Sequence, residues 1–191
     1  MKIIYLAWGS LLWKHKNLKL KSNWKKSSIH LPLNFSRISD AGKGRLTLVV
    51  DNKTGIENNI YYAETKYKDL NKAINSLRMR EKTTKSLIGY INLKENTYRT
   101  SILTEEQVKK IRSFIQHNNY DAVIWTDIPS NFEKLFNKKF SKDVALQYID
   151  SKRNDVKIYN KILEYIFLSK VYGKIKTPLS EYVINKLMCN L

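Results

Sequence analysis

The stretch Ile3-Ile4-Tyr5-Leu6-Ala7-Trp8-Gly9-Ser10 decides how the chain is read. An apolar run of this length is far short of the roughly 20 residues a membrane span requires. It also differs from a signal-peptide core: Gly9 interrupts it, Trp8 and Trp13 flank it, and no small-residue cleavage site follows. It therefore reads as a buried strand over residues 2–7, ended by Gly9-Ser10.

Reading outward, residues 14–30 are basic and polar and predict an exposed excursion pinned by Trp13 and Trp24. Extended structure resumes at Leu31-Pro32-Leu33. Ser39 to Gly44 and Asn52 to Gly55 carry turn chemistry, and Arg45 to Asp51 and Ile60 to Thr65 read as strands. Leu70, Ile74 and Leu77 then recur at helical spacing beside Ala73, with Asp69 suited to the positive start of a helix. Ser86 to Leu93 reads as a strand whose Gly89 permits close approach of a ligand or another backbone. Thr104-Glu105-Glu106-Gln107 has the form of a capping box, opening a helix with Val108, Ile111, Phe114 and Ile115 on one face. Asp121 to Thr126 is a short apolar strand stopped by Pro129.

Beyond residue 130 the pattern is helical. Ser141 caps a helix carrying Val144, Ala145, Tyr148 and Ile149. Val156, Tyr159, Leu163 and Ile166 mark the next, and Thr177-Pro178 opens a third. The pattern predicts an α/β (α+β) chain with a strand-rich part, residues 1–138, and a helical extension, residues 139–191.

With 191 residues and 42% hydrophobic content, the chain suffices for one sizeable core. The lone cysteine, Cys189, permits no internal disulfide and fits a reducing cytoplasm. The formal net charge is +18. Residues 1–39 hold Lys2, Lys14, Lys16, Lys19, Lys21, Lys25, Lys26 and Arg37 and no acid. Such a field attracts nucleic acid or anionic metabolites. It is equally the mark of a Lys-, Asn- and Ile-rich composition, and no helix-turn-helix, zinc-finger or RNA-recognition signature accompanies it.

The three histidines lack metal-ligand spacing, and neither Gly-rich nucleotide loop is present, so no metal or cofactor is expected. Two places remain where chemistry could reside. At Ala7-Trp8-Gly9-Ser10, a glycine just past a buried strand lets the backbone turn sharply. That turn leaves N–H groups free for an anion or a developing oxyanion; the plainer reading is a turn and nothing more. One further step along the face 70, 74, 77 lands on Glu81. A carboxylate there faces partly away from water, which suits a general base. The other reading ends the helix at Arg80 and leaves Glu81 on the surface, paired with Arg78, Arg80 or Lys85.

The segment Tyr5-Leu6-Ala7-Trp8-Gly9-Ser10-Leu11 resembles the Tyr-Gly-Ser loop that opens γ-glutamylcyclotransferase-like proteins after their first strand. Leu77-Arg78-Met79-Arg80-Glu81, followed by Leu87-Ile88-Gly89-Tyr90, is similar to that family's helix ending in a glutamate and the strand after it. Leu31 to Ser39, Arg45 to Val49 and Ala122 to Thr126 resemble segments of a bacterial branch. The resemblance covers roughly residues 2–136. It implies a mixed sheet or barrel with packed helices. It also implies an enzyme that cyclises a γ-glutamyl compound to 5-oxoproline and releases an amine or amino acid, without cofactor. Glu81 would be the general acid/base, and Tyr5, Leu6, Ala7, Trp8, Gly9, Ser10 and Trp125 would form the substrate site, with Thr126 beside them. The chain departs from the family pattern at Trp8, where tyrosine is usual, and at Leu11, where asparagine is common. Two other functions compete: a non-catalytic binder of a small anion on the same fold, and a nucleic-acid binder acting through Lys14 to Lys26 and the basic C-terminal helices.

Overall fold

The computed structural model describes residues 1–15, 17–40 and 42–188, the side chains of residues 187 and 188 aside. Lys16 in the basic stretch, Ala41 in the first turn and Cys189 lie outside the described residues. Seven strands form one mixed sheet: β1 (Ile3–Ala7), β2 (Lys25–Ser39), β3 (Arg45–Val50), β4 (Ile56–Glu64), β5 (Ile88–Asn92), β6 (Thr97–Arg99) and β7 (Ala122–Thr126). Six α-helices accompany them among the described residues: α1 (Leu70–Glu81), α2 (Glu105–His117), α3 (Phe132–Phe136), α4 (Lys142–Ser151), α5 (Val156–Gly173) and α6 (Pro178–Met188). The strand order is β3-β2-β4-β1-β7-β5-β6. The class is mixed α/β, as the sequence predicts. Of the mixed sheet or barrel expected, the mixed sheet is found; it does not close into a barrel, because β3 and β6 stand at the two ends of the order and do not pair.

Two compact units make up the chain, and they interleave in sequence. One comprises residues 1–31 and 59–128, the other residues 32–58 and 129–191. In the first unit every residue of β1 is fully buried. This follows from its central place: it pairs antiparallel with β4, Ile4 opposite Glu64, and parallel with β7, Ile3 opposite Ala122. Strand β5 is antiparallel to both β7 and β6. Helix α1 packs Ala73, Ile74 and Leu77 onto a core containing Ile3, Tyr5, Ala7, Ile88 and Ile124. Leu18 joins that core, and Trp13 and Trp24 pack against it, so the basic excursion is pinned at three points.

The excursion is shorter than the sequence predicts, because β2 already begins at Lys25. Ser27, Ile29 and Leu31 point inward while Lys26, Ser28 and His30 are exposed. The alternation is masked by the polar residue on its inner side, Ser27, whose hydroxyl donates to the Ile60 carbonyl at 2.7 Å.

Helix starts agree closely with the sequence. Asp69 accepts from the Lys72 N–H at 2.7 Å, and Ser141 accepts from Val144. Thr104 and Gln107 form the reciprocal capping box in full. Thr104→Ala is expected to cost about 1 kcal/mol, read from the urea midpoint, because it leaves a first-turn N–H without its acceptor.

In the second unit, Phe132 meets Phe136, Phe140 and Tyr148, and Phe35 meets Tyr165 edge-on at 6.2 Å. The Arg45 guanidinium lies 4.1 Å above the Tyr165 ring. The buried face of α5 is Ile158, Ile162, Tyr165, Ile166, Ser169 and Gly173, whereas Val156, expected inside, is 64% exposed. The stripe includes a serine and a glycine, which an apolar count passes over; the Ser169 hydroxyl is satisfied by the Tyr165 carbonyl at 2.8 Å. Strand β6 and helix α3 are absent from the sequence reading. Both are short, and β6 is largely exposed, so neither leaves a periodic signal. Among the described residues, no helix is long and apolar enough to cross a membrane.

Candidate functional site

Gly9 turns the chain out of β1 with φ 60°, a left-handed value that a side chain rarely tolerates, and opens a short 3-10 turn over Gly9–Leu11. Trp8 is 8% exposed. The first N–H groups of such a turn have no partner within it. Helix α1 runs through Glu81 and ends there, with Lys82 in the left-handed conformation and its N–H returning to the Arg78 and Met79 carbonyls. Glu81 is thus the last helical residue, on the continuation of the buried face, and its side chain is 17% exposed.

The side chain that joins the two places is Arg80. Its Nη1 donates to Glu81 Oε1 at 2.7 Å, and its Nη2 donates to Ser10 Oγ at 3.0 Å. The Lys14 carbonyl accepts from Nη2 at 2.6 Å and from Nε at 3.2 Å. The Thr126 hydroxyl, at the end of β7, donates to the same Glu81 oxygen at 3.3 Å. Turn, helix end and strand end therefore converge. Both contacts to Glu81 fall on Oε1, leaving Oε2 for another partner. The ion pair itself matches one of the sequence alternatives, but it is not a surface pair: the Arg80 side chain is 7% exposed.

The other expected site residues are placed differently. Tyr5, Leu6 and Ala7 are fully buried in the core, and the Tyr5 hydroxyl donates to the Ala73 carbonyl at 3.0 Å. Burial pushes that phenol up to about 12. In the unfolded chain it ionises near 10, so the unfolded state loses its proton first as pH rises. Tyr5 is expected to contribute a fall in stability between pH 10 and about 12, and Tyr5→Phe to lack that share, as read from urea midpoints across the window.

Trp125 is fully buried as well, stacked where Gly89 leaves room, with its Nε1 donating to Asp127 at 2.9 Å. The close approach that Gly89 allows is thus that of an indole. Asp127 has no exposed surface. It also accepts from the Thr100 hydroxyl at 2.7 Å and from both the N–H and the hydroxyl of Ser101. It fixes the end of β7, next to Thr126.

Sequence reasoning missed Arg80 and Asp127 as site-building residues. For Arg80 a signal existed: positions 73, 77 and 80 follow one another at helical spacing, which places it on the buried side. For Asp127 the only signal is an acid directly after an apolar strand. Among the described residues, no three His, Cys, Asp or Glu side chains gather as a metal site would require. No family model, curated protein or solved structure matches the chain.

Proposed function

We propose that the chain is a γ-glutamylcyclotransferase-like enzyme, on the fold of that family, with Glu81 as its general acid/base. The observation that carries this reading is the Arg80 guanidinium bonded at once to Ser10 and Glu81, which brings the N-terminal turn and the carboxylate to one place. The order of parts adds support: a turn after the first strand, a helix that ends on the glutamate, and a strand directly after it.

In the proposed reaction Glu81 Oε2 takes a proton from the substrate's α-ammonium group. The freed amine attacks its own γ-carbonyl carbon, forming the ring C–N bond. Charge develops on the carbonyl oxygen, where N–H groups of the Trp8-Gly9-Ser10 turn stabilise it. Collapse breaks the γ-amide C–N bond, and Glu81 returns its proton to the leaving nitrogen. The attacking nitrogen gives up a second proton on ring closure. The lactam therefore keeps one N–H, and the released amine leaves protonated. Attack is intramolecular, so the site's main task is to hold the substrate folded. Trp8 supplies an indole where the family has a phenol, and this bears on substrate choice.

The test is incubation with a panel of γ-glutamyl amino acids, γ-glutamyl amines and glutathione, with 5-oxoproline as the readout. Release from at least one member is the expected result. Retention of a panel compound with no turnover of any would instead assign the site to anion binding.

A further inference from the structure

At the opposite end of α1 from Glu81, the first unit holds a cavity of about 290 Å³. Leu70 and Ile74 of α1, Tyr90 and Asn92 of β5, Arg99 of β6 and Lys85 line it. Two donors in its wall have no acceptor. Arg99 is clamped from behind, with Nε and Nη2 donating to the Ile88 carbonyl at 3.2 and 2.8 Å and Nη2 to the Lys85 carbonyl at 2.6 Å. Its guanidinium lies over the Tyr90 ring, 5.2 Å from the centroid. Nη1 is left over, and among the described residues no carboxylate pairs with this half-buried cation.

Asn92 is 1% exposed. Its Oδ1 accepts from the Lys94 N–H at 3.1 Å, and its Nδ2 has no partner among the described residues. Alternation along β5 puts Tyr90 and Asn92 on the same face, the one that lines the cavity. Neither donor is fully enclosed by protein, so both remain open to the cavity, and one ligand oxyanion would satisfy the Asn92 amide and the unpaired Arg99 cation together. The acids at the rim, Asp69 and Glu95, are exposed, and Asp69 is engaged in capping α1. Leu70 and Ile74 offer an apolar wall.

We propose that this cavity binds a small organic anion. Its carboxylate or phosphate oxygens take the free N–H groups of Arg99 and Asn92, and its apolar body lies along Leu70, Ile74 and Tyr90. Lys85, exposed at the rim, adds attraction. The site is independent of the reading given to Glu81.

The test is a titration of the ¹⁵N-labelled full chain followed by NMR, with butyrate and inorganic phosphate as probes and butylammonium as the cationic control. The expected result is saturable shifts of the Asn92 side-chain amide and of residues 70, 74 and 90 with at least one anion and not with butylammonium; comparison of the two anions identifies the preferred head group. Arg99→Gln should weaken binding about tenfold or more, the scale of a charge-assisted hydrogen bond. Lys85→Ala, which removes an exposed side chain, should weaken it about threefold, more so at low salt. Absence of saturation with both anions, equal binding of butylammonium, or unchanged affinity in Lys85→Ala overturns the proposal, and the last comparison holds even where Arg99→Gln fails to fold.

Discussion

Glu81→Gln is expected to reduce 5-oxoproline release by about 10²-fold or more, the usual contribution of a general acid/base. Glutamine keeps the shape and an acceptor oxygen, so Arg80 and Thr126 retain a partner at the Oε1 position. The lost property is proton exchange at the other oxygen. Folding should therefore persist, with the melting temperature close to that of the parent chain, and substrate should still bind. Rates on whichever panel compound is turned over, measured alongside thermal melts, give the answer. Undiminished turnover by a folded Glu81→Gln chain would remove Glu81 from the mechanism and return the Arg80 pair to a purely structural role. A comparable loss on Arg80→Gln would be harder to interpret, since that change also frees the Lys14 carbonyl and the Ser10 hydroxyl.

Gly89→Ala is expected to destabilise the chain by about 3 kcal/mol or more, because it overpacks a site with no room to relax. A Cβ there would stand 2.3 Å from Trp125 Cε2 and Nε1. The indole cannot swing aside easily: it is fully buried, and its Nε1 is held by Asp127, itself bonded to Thr100 and Ser101. For a chain of this size the melting temperature should fall by roughly 10 °C. Trp125→Leu in the same chain should recover part of the loss, since the added methyl then meets a smaller side chain. Strict additivity of the two changes would show that the indole is not what Gly89 accommodates.

Much of the fold was legible because its elements announce themselves locally. Tyr5 and its neighbours form an unbroken apolar run, as a strand flanked on both sides requires. Leu70, Ile74 and Leu77 recur with the helical period, Thr104 and Ser141 are the caps their positions predict, and Asp69, expected at the positive start of the helix, caps it as well. The reading weakened where an inward position is polar or small. Ser27 hid the first residues of β2, and Ser169 and Gly173 displaced the inferred face of α5. Hydroxyls and glycines on a buried face are satisfied by carbonyls or by close packing from elsewhere in the fold, so they carry no local apolar signal.

The candidate site divides along the same line. From its residues alone the chain determined a sharp turn at Gly9 and a carboxylate near a helix end, open to an inward or a surface reading, because backbone sterics and the 3.6-residue period act over a few neighbours; the structure turns it inward. Only the tertiary structure decided that Arg80 joins Ser10 to Glu81, that Tyr5 and Trp125 belong to the core, and that Asp127 anchors the strand beside Thr126. Those are contacts between segments far apart in sequence, selected by which buried polar groups find partners when the sheet assembles, and no local pattern encodes that choice.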